Sequence, residues 1–407
     1  MKRVLLYTIM ATAFTACASN RQTAESTANS DNTQSVAIAS IDSTQNFAFS
    51  LFSAVNSITT EAENFCISPA SAQWALAMTA NGADGKTAQQ MYSTLGYPDG
   101  AKERTAFNAL QQRNIETLNN SEEAKLSVAN SIWVDKRIKL KNSFIEENSN
   151  FYDATVKNVT FDNATVKEIN AWCSDKTEGK IKSILDEPNP TTRLLLINAL
   201  YFKGEWADPF AKRATIYSPF TKADGERISV PMMFQTQVMD YYEDANLQAV
   251  EKPFKRGEFS MLLILPRPWL SIQEAIEHVA DVYKRGSFNR ERYRVALKMP
   301  RFRTEFGTSL KPMLIAMGIN EAFTQDADFS GISKSPLLID DVIQKSYISV
   351  DEDGAEAAAV TAVQMRLGAL PREELKELPL DRPFIYAIKS NRTGEILFIG
   401  KVGNPLE

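Results

Sequence analysis

The stretch GAEAAAVTAVQM, Gly354 to Met365, lies between KSYISVDED and DRPFIYAIKS, two segments with the side-chain alternation of strands. Alanine is the strongest helix former, so the run reads locally as a surface helix, as a linker, or as a strand built of small side chains. Strand geometry sends successive side chains to opposite faces. Ala355, Ala357, Ala359, Thr361, Val363 and Met365 then share one face, and Glu356, Ala358, Val360, Ala362, Gln364 and Arg366 share the other. All the charge falls on the second set. Burying an unpaired charge is costly, so this partition suits a strand with one buried face, and a helix would not produce it.

Around this stretch, the 407 residues are 44% hydrophobic and 23% charged, an ordinary globular composition with material for one large domain or two. A net charge of -5 gives no basic footprint for nucleic acid. The single histidine, His278, falls in IQEAIEHVADVYK, whose apolar spacing predicts an amphipathic helix with His278 on or near its surface. No nucleophile motif accompanies it, so the sequence predicts no enzyme.

The first residues read as an export signal: Lys2 and Arg3, the apolar run VLLYTIMATAF, then small residues. The run is short for a membrane span. It ends in FTAC, which resembles the lipobox of bacterial lipoproteins, with Cys17 as the lipidated residue. Phe14 stands where leucine is usual, which leaves plain secretion as the alternative. Residues 18–43 are rich in Ser, Thr, Asn and Ala and suit a flexible tether. The expected location is therefore the cell envelope, on the outer membrane, or the secreted or periplasmic space. Cys66 and Cys173 remain, without metal-ligand spacing, and are expected as buried free thiols, although two cysteines in an exported chain could also pair.

From residue 44 the pattern tightens. NFAFSLFSAVNS and SAQWALAMTA have helical spacing, whereas KLSVANSIWV and RYRVALKMPRFRTEF alternate as strands do. EFSMLLILPRP is a continuous apolar run suited to a strand buried on both faces. The fold class is α+β. ANGADGKT, residues 80–87, nearly matches a phosphate-binding loop, but Ala80 replaces the first glycine and a helical pattern precedes it where a strand is needed.

Several separated segments resemble the serpin family. NFCISPASAQWALAMTANGADGKTAQQM is similar to its early strand–helix signature, and LLINALYFKGEWADPF to its central motif. VPMM and LLILPRP follow, and DRPFIYAIKSNRTGEILFIGKVGNP resembles its C-terminal strands. The resemblance implies three β-sheets, eight to nine helices and an exposed reactive-centre loop at about 352–378 in a domain spanning 44–407. It also implies the family's established behaviour: suicide inhibition of serine, and in some cases papain-like cysteine, endopeptidases. The cut loop enters the large sheet and carries the acylated protease with it in a covalent 1:1 complex. The inhibitor would act as a monomer, without cofactor or metal, and touch the membrane only through its lipid. A binding or chaperone protein on the same fold is the alternative.

Carried onto this sequence, the hinge is Glu352, Gly354, Ala355, Glu356, Ala357, Ala358 and Ala359, with Ala355 where Thr or Ser is usual. The point where the sheet opens comprises Trp206, Arg301 and Glu352, and the polar cluster beneath its centre comprises Ser68, Ser71, Asn198 and Gln344. Gln344 replaces the family's histidine. Counting forward from Gly354 places the scissile bond at Gly368–Ala369, with Leu367 and Arg366 as neighbouring alternatives. Counting back from Pro383 gives Arg372, because the loop is four residues longer than the common form.

Overall fold

The computed structural model describes residues 45–96, 101–284, 291–355 and 372–407. Among them are eight α-helices: α1 (45–56), α2 (Pro69–Ala80), α3 (Gly85–Thr94), α4 (Ala101–Asn119), α5 (Asn142–Tyr152), α6 (Asn163–Lys176), α7 (Ile272–Lys284) and α8 (Lys311–Ala316). Fifteen strands run from β1 (Phe65–Ile67) through β2 (Ala124–Asp135), β3 (Thr155–Val159), β4 (Leu194–Glu205), β5 (Ile216–Thr221), β6 (Arg227–Glu243), β7 (Leu247–Pro253) and β8 (Phe259–Pro266). They continue with β9 (Glu291–Pro300), β10 (Phe302–Ser309), β11 (Asp341–Val350), β12 (Gly354–Ala355), β13 (Arg372–Pro379), β14 (Phe384–Ser390) and β15 (Ile396–Val402).

The large sheet has the order β10-β11-β12-β4-β2-β3, with β11 also paired directly to β4. The remaining strands form a nine-stranded set in the order β1-β15-β14-β8-β7-β6-β9-β13, with β5 on β6. Two of the three expected sheets are joined here, because the long β6 pairs with β5 through its first part, with β9 through its middle and with β7 through its last four residues. β8 is buried along its whole length, as its unbroken apolar run predicts. RYRVALKMPRFRTEF supplies two strands, β9 and β10, broken at Pro300–Arg301, where a proline can close a strand but not donate to a ladder.

Both faces of the large sheet are covered. α2, buried on every side, packs on β2, β4 and β15; Pro69 occupies its first turn and the Ser68 side chain caps it by accepting from the Ser71 N–H. On the opposite face, Trp133, Leu195, Ile197 and Ala199 pack with Ile169 and Cys173 of α6. Cys66 and Cys173 are buried free thiols, each pushed up to about 12 by burial. His278 lies on α7, half-buried, with Nε2 2.6 Å from Asp244 Oδ2. No helix among the described residues is long and apolar enough to cross a membrane.

Candidate functional site

β4 and β11 run parallel and in register from Leu195 opposite Asp341 to Leu200 opposite Ser346. Above that point they part, and Ala355 stands between them, paired with Val350 on one side and Gly204 on the other. The first two residues of the alanine-rich stretch already occupy the seam of the large sheet. Ala355 is fully buried, as expected for the first inward-facing position. Gly354 has no room for a side chain: a Cβ there would come within 2.1 Å of the Gly204 carbonyl oxygen.

The turn Asp351–Gly354 is held from several directions. Glu352, 2% exposed, receives Arg301 Nε at 2.9 and 2.8 Å on its two oxygens and Nη2 at 2.5 Å on Oε1. Thr215 donates its hydroxyl to the same carboxylate. Burial by itself would raise the Glu352 carboxyl, but Arg301 and Thr215 outweigh it and hold the group below the ordinary glutamate range. The Trp206 backbone N–H donates to the Asp353 carbonyl at 2.9 Å, its indole N–H to the Asp351 carbonyl at 3.0 Å, and the Phe210 N–H to the Glu352 carbonyl at 2.9 Å. Trp206 is itself fixed by stacking on Phe254, 4.6 Å between centroids. The three residues expected at the opening of the sheet are thus brought together, and Thr215 and Phe210 join them. Neither addition is legible in the sequence, since a backbone N–H and a lone threonine carry no pattern.

Lower in the sheet, Asn130, Asn198 and Gln344 lie side by side on one rung across β2, β4 and β11. Gln344 Nε2 donates to Asn198 Oδ1 at 2.7 Å and to the Ser68 carbonyl at 2.8 Å, while its Oε1 accepts from the Ser68 N–H at 2.9 Å. Asn198 donates to Asn130 Oδ1, which also accepts from Ser71 Oγ at 3.3 Å. All four residues expected in the polar cluster therefore meet, with Asn130 as a fifth. Its signal was available: in KLSVANSIWV, Asn130 falls in phase with the inward-facing Ile132 and Val134. A strand entering between β4 and β11 must break the Asn198–Gln344 bond, and the amides keep satisfied partners on either side. Gln344→Ala would strand Asn198 Oδ1 and the Ser68 backbone, at about 1–3 kcal/mol per orphaned group; the expected result is a lower thermal midpoint at every pH. Because an amide does not titrate, wild type should show no pH step from this position.

The distal end of the loop requires a correction. Residues 372–378, read from sequence as part of the 352–378 loop, lie in β13, which runs parallel to β9. Arg372 is already opposite Tyr293, and Leu375 opposite Arg294, so three steps along β13 match one along β9. That bulge places two more residues on β13 than on β9 across this step. Lys376 fixes the strand, 2.8 Å from both Glu243 and Glu374. The expected bonds at Arg366, Leu367, Gly368 and Ala369, the hinge positions Glu356 to Ala359, and Cys17 with the tether all lie outside the described residues.

Residues 42–405 match the family model described as Serpin (serine protease inhibitor). A serpin-like protein of Methanosarcina mazei is 32% identical, with 100% of this chain and 98% of the relative covered. Among solved structures, the chain resembles the thermophilic serpin tengpin in its native state, at TM-score 0.80 and 34% identity over 89% of this chain and 94% of that one. It also resembles thyroxine-binding globulin in complex with thyroxine, at TM-score 0.80 and 27% identity over 91% of this chain and 100% of that one. With the large sheet, its parted seam and the glycine seated in it, these matches place the chain in the serpin family, whose members are generally protease inhibitors rather than enzymes.

Proposed function

We propose that the protein is a suicide inhibitor of serine endopeptidases, and of papain-like cysteine endopeptidases where their pockets admit the loop. It traps the acyl-enzyme by drawing the cleaved loop into the seam between β4 and β11. The observation that carries this reading is Ala355, fully buried and seated between Val350 and Gly204. Small residues at the next inward positions, Ala357 and Ala359, lower the steric cost of parting the strands further. The reactive bond we propose is Gly368–Ala369. A protease cleaves an extended segment lying in its cleft, so the pairing of Arg372 within β13 weighs against that residue, and the bulge supports counting forward from the hinge. The complex is 1:1 with a monomeric inhibitor. Export and lipidation at Cys17 would hold it at the cell envelope on the 18–43 tether; membrane association that survives Cys17→Ser would contradict the anchor.

Incubation with a panel of serine and cysteine proteases tests the function. Complexes that survive SDS, and release on denaturation a C-terminal fragment beginning at Ala369, are expected. A fragment beginning at Glu373 within a stable complex would overturn the proposed bond, and cleavage without any stable complex would overturn the inhibitory mechanism. The second reading, a binding protein on this fold, draws on the likeness to thyroxine-binding globulin. It would be favoured if the cut loop stayed out of the sheet.

A further inference from the structure

Beside the point where the sheet opens, Lys252 of β7 is fully buried. Its Nζ donates to the Asp208 carbonyl and to Gln235 Oε1, both at 2.8 Å, and lies 5.1 Å from the Trp206 ring centroid and 4.5 Å from that of Phe210. Both hydrogen-bond acceptors are neutral. Gln235 of β6 in turn donates to the Asp208 and Pro209 carbonyls at 3.2 and 3.4 Å. Two strands of the nine-stranded set therefore grip segment 206–210, and that segment grips the Asp351–Asp353 carbonyls through Trp206 and Phe210.

An aliphatic side chain would fill this position without the penalty of burying an ammonium. Burial pulls Lys252 down to about 7, and attraction to the Asp208 carboxylate opposes that only in part. The other charges around this opening are engaged elsewhere: Glu352 with Arg301, Asp353 with Lys212 at 2.8 Å, and Glu205 with Lys255 at 2.7 Å. On β7 itself, the adjacent Glu251 pairs with Lys389 at 3.1 Å. Asp351 accepts from the Asp353 and Gly354 N–H groups.

We propose that Lys252 is a positioning residue for loop insertion: its protonated ammonium pins segment 206–210 and so holds the turn Asp351–Gly354 in the posture that seats Ala355. This rests on the inhibitory reading above. Loss of the proton removes the attraction to two aromatic faces and one donor, the pin slackens, the cleaved loop nucleates its new strand more slowly, and more protease escapes by hydrolysis. Stability moves the opposite way. A lysine whose pKa is lowered on folding carries its full burial penalty below the folded value, and that penalty is relieved as pH rises from about 7 toward the ordinary lysine range. Trapping efficiency falls with pH while thermal stability from this group rises. A lysine with only a packing role would move the second and not the first.

The test compares wild type with Lys252→Met at pH 6 and pH 8.5 against one trapped protease, reading moles of inhibitor consumed per mole of protease inactivated. The variant-to-wild-type comparison cancels the protease's own pH dependence. The variant is expected to insert about tenfold more slowly at pH 6, giving a several-fold higher stoichiometry, and to converge with wild type at pH 8.5. The same ratio at both pH values overturns the proposal. Tryptophan emission is the second readout, always as the difference between wild type and a folded variant, with Lys252→Leu used if Lys252→Met does not fold, because the buried Glu395 carboxyl is also pushed up to about 7. A step near pH 7, absent from the folded variant, supports the pin; a flat difference overturns it. Failure to trap any protease with wild type counts against the inhibitory reading; the emission result then decides whether the Lys252 ammonium pins segment 206–210.

Discussion

Replacing Ala355 by arginine is expected to turn the protein from an inhibitor into a substrate. Ala355 is enclosed between Val350 and Gly204 and belongs to the buried core, so a guanidinium there would have to be buried without a partner. That costs several kcal/mol, which the uncut protein escapes by withdrawing residue 355 from the seam, so the cost falls on insertion; each 1.4 kcal/mol is a factor of ten in the competition between insertion and hydrolysis, and the fraction of protease trapped should fall by at least about a hundredfold. On a denaturing gel, the stable complex should give way to cleaved inhibitor alone. Cleavage itself should proceed at its wild-type rate, because the substitution lies far along the chain from the candidate bond. Undiminished complex would show that the hinge does not enter the sheet where Ala355 now sits.

Arg301→Ala should produce the second largest effect. It removes the principal partner of a carboxylate that is 2% exposed and leaves Thr215 alone beside it. Deleting one member of a buried pair is destabilising by about 3–5 kcal/mol; the guanidinium is 46% exposed, so a loss of about 2 kcal/mol is the better expectation. The thermal midpoint should drop by a few degrees, and inhibitory activity should decay faster on warming as the turn at Asp351–Gly354 loosens. The sign of the pH dependence follows from the lowered Glu352 carboxyl. Its contribution is present above the ordinary glutamate range and is lost as pH falls through that range and below it. Melting curves should therefore converge for wild type and variant on acidification. A constant gap down to the most acidic pH at which both proteins stay folded would argue against the pair as the source.

What the sequence showed and hid at this site has a physical basis. Alternation along GAEAAAVTAVQM was enough to assign a facing direction to Ala355, because period-two geometry is a property of the backbone and needs no knowledge of neighbours. The meeting of Ser68, Ser71, Asn198 and Gln344 became legible only through the resemblance, since these positions are spread over much of the chain and share no local pattern. Asn130 could have been found as an inward-phased amide in a strand. Lys252 could not: in LQAVEKP it reads as an ordinary strand lysine, and only the packing of segment 206–210 over it reveals a fully buried ammonium. Likewise, the extent of β13 was hidden because PREELKELP is short of apolar residues; the strand is specified by its partner β9 and by Lys376 between Glu243 and Glu374.

On the proposed mechanism, the native fold holds back a more stable arrangement, one in which roughly a dozen further residues pair with β4 and β11. At about 1 kcal/mol net per added hydrogen bond, plus about 1.5–3 for each large apolar side chain buried, the gain rivals the stability of a whole domain. Thermal unfolding before and after limited cleavage between residues 366 and 371 measures it directly. A rise in midpoint of at least about 10 °C on cleavage is predicted for a sheet of this size. An unchanged midpoint would mean that the severed arm remains outside, and insertion could not then be how this protein stops a protease.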